Sequence, residues 1–279
     1  MNVSPMPEKR PPGLYIVATP IGNLGDMTRR AVDVLSEVDA VACEDTRVTG
    51  KLLHLLGIKR PLIRHDDHSD ARAVAALVER CRTEAIALTS DAGTPLISDP
   101  GYELVRAARA GGVEVTTLPG PSAVIAALTL SGLPTDRFMF CGFLPAKTGA
   151  RAQALAELAP IRATLIFFES GPRLAASLTA MMEALGDRDA AVCREISKLH
   201  EEVRSGSLTE LARTEAPKGE IVIVVAPPQA GAAAVAEADL DAFLSEALTR
   251  LPASKAASEV AKATGADRRT LYARALALK

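Results

Sequence analysis

The segment Ala85–Ala110, AIALTSDAGTPLISDPGYELVRAARA, predicts a buried strand, a long turn and a helix. Its apolar start, Ala85–Thr89, is typical of a short strand that is buried on both faces. The helix is expected over Tyr102–Ala110, with Asp99 as its N-cap and Pro100 at its first position. The turn between them is longer than a strand-to-helix connection needs. Its position after a strand predicts either a ligand-binding loop of an open α/β sheet or a rigid surface turn.

The composition excludes several classes of protein. The chain has 279 residues, enough for two domains, and its 48% of hydrophobic residues excludes an intrinsically disordered chain. Its net charge of −2 excludes a globally basic surface, so contact with nucleic acid would need a local patch. The apolar runs are too short to cross a membrane, and the segment before Gly13 does not read as a secretion signal.

The cysteines and histidines do not form a metal-site pattern. No C-x-x-C pair is present, and four scattered thiols fit a reducing cytoplasm. His65 and His68 flank Asp66 and Asp67, but the other histidines are remote, so an exposed polar loop is the preferred interpretation. No bound metal is therefore expected. The cysteines are Cys43, Cys81, Cys141 and Cys193.

Strand and helix signals alternate along the first half, which predicts an α/β fold with a mainly parallel sheet covered by helices. One helix is expected to be capped by Asp26, and another to follow Ser122 and end before Gly132. The second half repeats this theme more loosely. The predicted domains are an N-terminal α/β domain over residues 13–120, a C-terminal α/β domain over residues 121–228 and a helical tail over residues 239–279.

The tail carries an excess of Lys and Arg after Leu251. Ala261, Gly265 and Leu271 have the spacing of a helix-turn-helix with Gly in its turn. The spacing alone favours a structural tail of two helices that pack together. Contact with nucleic acid becomes the preferred interpretation if the substrate is RNA on other grounds.

Three loops of similar composition follow predicted strands of the first domain, at Thr19–Asp26, Ser90–Gly101 and Leu118–Ala123. Because parallel strands end at the same edge of a sheet, we expect these loops to line one cleft. Their small residues, hydroxyls and backbone groups suit a polar cofactor with an adenosine and an amino-acid end. The chain lacks G-x-G-x-x-G in the first loop, a P-loop sequence and G-x-S-x-G, which disfavours a dinucleotide site, a nucleotide triphosphatase and a serine hydrolase.

Charged segments flank several of the predicted strands. Glu44–Arg47 follows the second strand, and Lys51 lies one helical turn further. This segment predicts either a solvated, capped helix start or a carboxylate pair beside an arginine that binds phosphate. In the second half, Arg194–Lys198 and Lys218–Glu220 predict salt-bridged strand ends.

Taken together, these motifs resemble the ribosomal RNA small subunit methyltransferase I family of the tetrapyrrole methylase superfamily. The segments that carry the resemblance are Thr19–Asp26, Glu44–Arg47, Ser90–Pro95, Leu118–Ala123, Glu169–Ser170, Arg194–Glu195 and Lys218–Glu220. It extends from about Gly13 to Ala226, and the tail is also similar to that of the family. The resemblance implies two α/β domains of the tetrapyrrole methylase type, S-adenosylmethionine (SAM) in a cleft between them, and a homodimer.

The resemblance further implies a reaction and its site. The reaction is SAM-dependent 2′-O-methylation of the ribose of a cytidine, cytidine 1402, in the decoding region of 16S rRNA. The 16S rRNA is expected to be bound as part of the 30S subunit. The protein is expected in the cytoplasm, with no membrane partner. The implied cofactor-binding residues are Pro20, Asp91, Gly93, Thr94, Ile97, Ser122 and Ala123, with Phe143, Leu144 and Ala226 from the second domain.

A ribose hydroxyl is a weak nucleophile, so a nearby base or hydrogen-bond acceptor assists its attack. The candidate catalytic residues at the expected sheet edge are Asp26, Glu44 and Asp45, and the sequence does not choose among them. The candidate RNA-binding residues are Arg47, Lys51, Arg268 and Arg269, since cations hold RNA phosphates.

Two other functions stay open. The first is SAM-dependent C-methylation of a tetrapyrrole precursor, although the tetrapyrrole-modifying relatives usually have a more glycine-rich first loop. The second is a non-catalytic RNA- or SAM-binding module, which the intact cleft loops disfavour. Labelled SAM mixed with 30S subunits or with a tetrapyrrole precursor would discriminate among these functions.

Overall fold

The computed structural model describes residues 10–66, 69–214, 218–228, 237–264 and 266–278. Its first part is a parallel five-stranded sheet with the strand order β3-β2-β4-β1-β5, as the alternation of strands and helices predicted. The strands are β1 (Gly13–Val17), β2 (Ala40–Cys43), β3 (Leu62–Arg64), β4 (Ala85–Thr89) and β5 (Val115–Leu118). The helices are α1 (Arg29–Glu37), α2 (Thr46–Leu55), α3 (Ala71–Cys81) and α4 (Tyr102–Ala110).

Helices cover both faces of this sheet, because side chains along each central strand alternate between two apolar clusters. Leu14 and Leu88 pack on one face with side chains of α3 and α4. Val17 and Ala87 pack on the other face with side chains of α1 and α2. This double cover explains the continuous apolar runs of the strands. It leaves the carboxyl edge of the sheet to the loops.

The start of α4 differs from the sequence prediction. Asp99 is not its N-cap, because Gly101 occupies that position, with φ of 124° and no side-chain cap hydrogen bond. Leu96 and Ser98 have φ values of 73° and 63°, so the chain is still turning there. The helix can begin only after Gly101.

The start of α1 also differs. Asp26 does not cap this helix but ends a short 3-10 turn over Leu24–Asp26. Thr28 caps α1 instead, and its hydroxyl accepts a hydrogen bond of 3.2 Å from the N–H of Ala31. The carboxylate of Asp26 is therefore available to another part of the chain.

The second sheet is mixed, with the strand order β6-β7-β10-β8-β9. Only β6 and β7 pair in parallel, and β10 runs antiparallel to both β7 and β8. The strands are β6 (Phe138–Phe143), β7 (Thr164–Ser170), β8 (Asp189–Arg194), β9 (Glu202–Ser207) and β10 (Glu220–Val225). The helices are α5 (Ala123–Ser131), α6 (Thr148–Leu158), α7 (Leu174–Leu185) and α8 (Leu208–Ala212).

The chain passes from the first sheet to the second between β5 and α5. Ser122 caps α5, and Gly132 ends it with φ of 70°, as predicted. Val124, Ala127 and Leu128 of this helix pack against β7, β8 and β10. The opposite face of the second sheet packs against α6, α7 and α8. The domain ranges stay predictions, although α5 packs with the second sheet.

The tail forms three helices, α9 (Glu237–Leu248), α10 (Ala253–Thr264) and α11 (Arg268–Ala277). They share an apolar core of their own, in which Leu244, Val260 and Leu271 are buried. An ion pair of 2.9 Å between Arg274 and Asp241 joins α11 to α9. The predicted turn residue Gly265 lies outside the described residues. Within the described ranges, no helix is long and apolar enough to span a membrane.

Candidate active site

The three loops that follow β1, β4 and β5 converge at the carboxyl edge of the first sheet, as predicted. Thr19 and Gly93 exchange two backbone hydrogen bonds of 2.9 and 3.1 Å, which join the first loop to the second. The hydroxyl of Thr94 donates to the carbonyl of Pro121 at 3.0 Å, which joins the second loop to the third. Gly93 makes this approach with φ of 81°, a conformation that favours glycine.

A pocket of about 360 Å³ lies between these loops and the second sheet. This volume is sufficient for a small cofactor. Ile21, Ile97, Phe143 and Phe168 supply apolar walls, while Asp99, Glu169 and Glu220 supply carboxylates. The glycine and serine turns add backbone polar groups. Such a lining can hold a ligand that has both an apolar part and a polar, positively charged part.

Six of the ten predicted cofactor-binding residues line this pocket. They are Gly93, Thr94, Ile97, Ser122, Ala123 and Phe143. Pro20 and Asp91 are each one residue from a lining residue, Ile21 and Ala92 respectively. A carboxylate oxygen of Asp91 accepts a hydrogen bond of 3.3 Å from the backbone N–H of Asp45, so this side chain joins the second loop to the start of α2.

Leu144 and Ala226 are not among the residues that line this pocket, and their contact with the cofactor stays a prediction. Leu144 is only 4% exposed and packs into the core of the second sheet. Ala226 follows β10, whose last residue, Val225, pairs with Leu165 at the start of β7. Because β10 is antiparallel to β7, its first residues, and not its end, lie beside the pocket.

The second half contributes wall residues that the sequence prediction of site residues did not include. They are Phe168, Glu169, Ser170, Ile196, Gly219, Glu220, Ile221 and Val222. Several belong to segments that carried the family resemblance, and that resemblance was the signal in the sequence that could have identified them. Their convergence depends on the antiparallel direction of β10, which local sequence does not specify.

Glu169 is a buried carboxylate in the pocket wall, with 3% of its surface exposed. It accepts hydrogen bonds from the backbone N–H of Ser170 at 2.9 Å and from the hydroxyl of Ser177 at 2.6 Å. Arg173 lies 3.3 Å away as its ion-pair partner and also donates to the carbonyl of Leu144. These contacts fix the end of β7 relative to the loop after β6.

The turn that connects β8 to β9, residues 195–201, crosses to the first loop at the edge of the pocket. We call it the β8–β9 turn. The hydroxyl of Ser197 donates to the carboxylate of Asp26. Lys198 forms ion pairs with Glu195 at 3.0 Å and Glu220 at 2.9 Å. The salt-bridged strand end predicted for this segment is thus confirmed.

Two ionisable groups of this turn have shifted pKa values. The backbone N–H of Glu220 and the ammonium of Lys198 hold the pKa of Glu195 below its ordinary value, because both stabilise the carboxylate. Burial by itself would lower the pKa of Lys198, but hydrogen bonds to the two carboxylates raise it above its ordinary value. Both shifts keep Glu195 and Lys198 charged at neutral pH.

The segment Glu44–Arg47 begins α2, and Asp45 caps this helix, as the solvated-start interpretation predicted. The guanidinium of Arg47 contacts the carboxylate of Asp45 at 2.6 Å and is 90% exposed. Hydrogen bonds from Arg47 hold the pKa of Asp45 well below its usual range. A carboxylate with so low a pKa is a weak proton acceptor.

The remaining predicted cations lie on exposed surfaces. Lys51 is exposed on α2, near Arg47. Arg268 and Arg269 are exposed in the first turn of α11, which Asp267 caps. His65 is buried, and His68 lies outside the described residues. In the part of the chain that is described, no three His, Cys, Asp or Glu side chains are grouped as a metal site requires.

Family comparisons cover nearly the whole chain. The family described as Tetrapyrrole (Corrin/Porphyrin) Methylases matches residues 13–212. The family described as RsmI C-terminal HTH domain matches residues 234–279. The first match includes the converging loops and most of the second sheet, and the second includes the three tail helices.

The chain is also similar to bacterial proteins named Ribosomal RNA small subunit methyltransferase I. It is 58% identical over 271 residues to the protein of Erythrobacter litoralis (strain HTCC2594), covering 96% of each chain. It is 52% identical over 274 residues to that of Mesorhizobium japonicum, covering 96% of this chain and 92% of the relative. The protein of Escherichia coli O157:H7 is 44% identical over 274 residues, covering 94% of each chain.

Solved structures of low sequence identity share the fold. A diphthine synthase superposes with a TM-score of 0.61 at 16% identity, over 76% of this chain and 89% of that chain. Uroporphyrin-III-C-methyltransferase from Thermus thermophilus superposes with a TM-score of 0.55 at 21% identity, over 77% of this chain and 94% of that chain. These similarities establish the architecture of the two sheets.

Proposed function

The chain belongs to the ribosomal RNA small subunit methyltransferase I family, and we propose that it methylates the ribose 2′-oxygen of cytidine 1402 in 16S rRNA with SAM as donor. The observation that carries the proposal is the pocket that the three loops of the first sheet form together with the strand ends of the second. The 30S subunit is the proposed form of the substrate, and the cytoplasm is the proposed location.

The pocket residues fit SAM by their chemistry. The apolar side chains of Ile97, Phe143 and Phe168 would pack against its adenine. Backbone groups of the turns at Gly93 and Ser122 would hold its polar groups. When bound, SAM supplies an electrophilic methyl group on a positively charged sulfur. The predicted contacts of Pro20 and Asp91 stay proposals.

The protein would contribute chiefly alignment, because the donor methyl group is already reactive. Among the three candidate bases, Asp26 is the one that we propose to accept or orient the ribose proton. Its carboxylate bonds to Ser197, which is adjacent in sequence to the pocket residue Ile196. Asp45 is less suited, because Arg47 lowers its pKa. Glu44 is the alternative base.

RNA contact is proposed for two exposed basic surfaces. Arg47 and Lys51 lie on α2, and Arg268 and Arg269 lie on α11. Because the chain has a net charge of −2, these local cations would supply the attraction to phosphate. Binding should therefore weaken as salt is raised.

A homodimer is proposed as the assembly. The exposed apolar side chains of Phe138 and Met139 on β6, an edge strand of the second sheet, support it. Light scattering of the purified protein should report twice the chain mass. A mass of one chain at micromolar concentration would contradict the dimer.

The proposed function is tested with 30S subunits from cells that lack this protein. The purified protein and methyl-labelled SAM should place one label on the 2′-oxygen of cytidine 1402. A label on another nucleotide would correct the site. Transfer to a tetrapyrrole precursor and not to 30S subunits would support the alternative C-methylase, and SAM binding without any transfer would support the non-catalytic module.

A further inference from the structure

The β8–β9 turn is held in a conformation that its own residues disfavour. Glu195 and Ser197 have φ values of 48° and 68°, in the left-handed region that non-glycine residues rarely adopt. Such conformations persist where surrounding contacts hold them, and they are frequent at ligand clamps. Here the backbone N–H of Ser197 donates to a carboxylate oxygen of Glu201 at 2.6 Å, and that of Glu220 donates to Glu195 at 2.9 Å.

Lys198 links this turn to both halves of the chain. Its ammonium binds Glu195 within the turn and Glu220 at the start of β10. Its aliphatic stem lies against Gly22 of the first loop so closely that a Cβ atom on Gly22 would be 2.9 Å from Cε of Lys198. The stem therefore occupies space that only a glycine at position 22 leaves open.

The first loop is thus fixed at two places by different partners. At its start, Thr19 pairs with Gly93 of the second loop. Further along, Gly22 in its middle contacts Lys198, and Asp26 at its end contacts Ser197 of the β8–β9 turn. The first attachment belongs to the first sheet alone, whereas the second joins the two sides of the pocket.

We propose that Lys198 is a positioning residue that fixes the end of the first loop, and with it Asp26, against the second sheet at the edge of the pocket. This inference rests on the proposed function for its catalytic consequence. Without Lys198, the start of the loop stays attached through Thr19, while Asp26 loses the support of an ordered β8–β9 turn. Methyl transfer should then slow more than cofactor binding weakens.

The decisive variant is Lys198→Met, which keeps an aliphatic stem and removes the charge. We expect the single-turnover rate with saturating SAM and 30S subunits to fall roughly tenfold to a hundredfold, as small misplacements of reacting groups do. The dissociation constant of SAM should change by less than about threefold. Lys198→Arg should recover part of the rate. Lys59→Met, at an exposed lysine before β3, is the matched control and should keep the wild-type rate.

A second measurement does not depend on the substrate. The backbone N–H groups of Asp26 and Met27 donate to carbonyls within the first loop at 3.0 and 3.1 Å. In Lys198→Met these two amides should exchange with deuterium faster than in the wild type, while amides of β4 should not change. Ser197→Ala, which removes only the hydrogen bond to Asp26, should shift the same amides in the same direction.

The outcomes separate the two proposals. If the wild type does not methylate 30S subunits but the two amides exchange faster in Lys198→Met, the proposed function fails and the positioning role stands. If the wild type methylates and Lys198→Met matches it in rate and amide exchange, the positioning role is wrong. An equal loss of SAM affinity and rate, with faster exchange throughout both sheets, would also overturn it, because Lys198 would then support the fold generally.

Discussion

Gly120 and Ala18 lie so close together that a Cβ atom on Gly120 would be 2.8 Å from the Cβ of Ala18. This contact brings the loop after β5 against the end of β1, beside the pocket. Neither residue has a functional group, yet their packing sets the distance between two loops that line the site. Backbone approach of this kind requires glycine because no other residue leaves the space.

Gly120→Ala should therefore destabilise the protein by about 1 to 3 kcal/mol, the usual cost of overpacking. It should also weaken SAM binding, since the third loop must shift. Gly149→Ala is the matched control, because Gly149 lies in α6 with no atom within 4 Å of its added Cβ. The Gly149→Ala variant should be more stable than the wild type by about 0.4 to 1 kcal/mol. Urea unfolding measures the stability of both variants, provided that the dependence of the unfolding free energy on urea concentration is unchanged. Equal midpoints for the two variants would contradict the packing argument.

The stability of the β8–β9 turn should depend on pH through Glu195. Because its pKa is lowered in the folded state, Glu195 contributes stability that is fully present above its ordinary value of 4.5. That contribution is lost as the pH falls through the lower, folded-state pKa. Glu195→Gln should therefore lower the free energy of unfolding by about 1 to 2 kcal/mol at neutral pH and by progressively less in acid. Thermal unfolding of both proteins across this range measures the effect, and a constant difference at every pH would refute it.

Arg47→Ala should weaken RNA binding and leave SAM binding intact, if Arg47 holds a phosphate. The slope of log affinity against log salt concentration should fall by about one. Arg80→Ala, at an exposed ion pair on α3, is the control and should keep the wild-type slope. Calorimetry with SAM and filter binding with 30S subunits separate the two ligands. Parallel losses of both affinities would count against a phosphate contact.

Removal of residues 237–279 should lower methylation of 30S subunits without changing SAM affinity. The described tail helices have their own apolar core, so the two sheets keep their packing when the tail is absent. The circular dichroism of the truncated protein checks that the sheets remain. Full activity of the truncated protein would show that the tail does not contribute to substrate binding.

Much of the first half was predictable because its signals are local. The apolar run of β4 and the capping residues Ser122 and Asp45 specified elements that the structure contains. The parallel direction of that sheet followed from the alternation of strands and helices. The convergence of three loops then followed from the common edge of parallel strands.

The second half was less predictable. Its β9 has a mostly polar sequence, EVRSGS, and α6 has only two buried side chains, Arg151 and Leu155. Neither element therefore has a strong apolar pattern. The direction of β10 had a larger consequence, since it brings the residues around Glu220 to the wall of the pocket.

The sequence by itself determined most of the strands, where several helices begin, and which loops meet at the edge of the first sheet. These features depend on apolar periodicity, capping and turn residues within short windows. The tertiary structure decided that β10 runs antiparallel, that Leu144 is buried, and that Lys198 lies against Gly22. These relations depend on contacts between residues far apart in the chain, and local preference does not specify strand direction or side-chain partners.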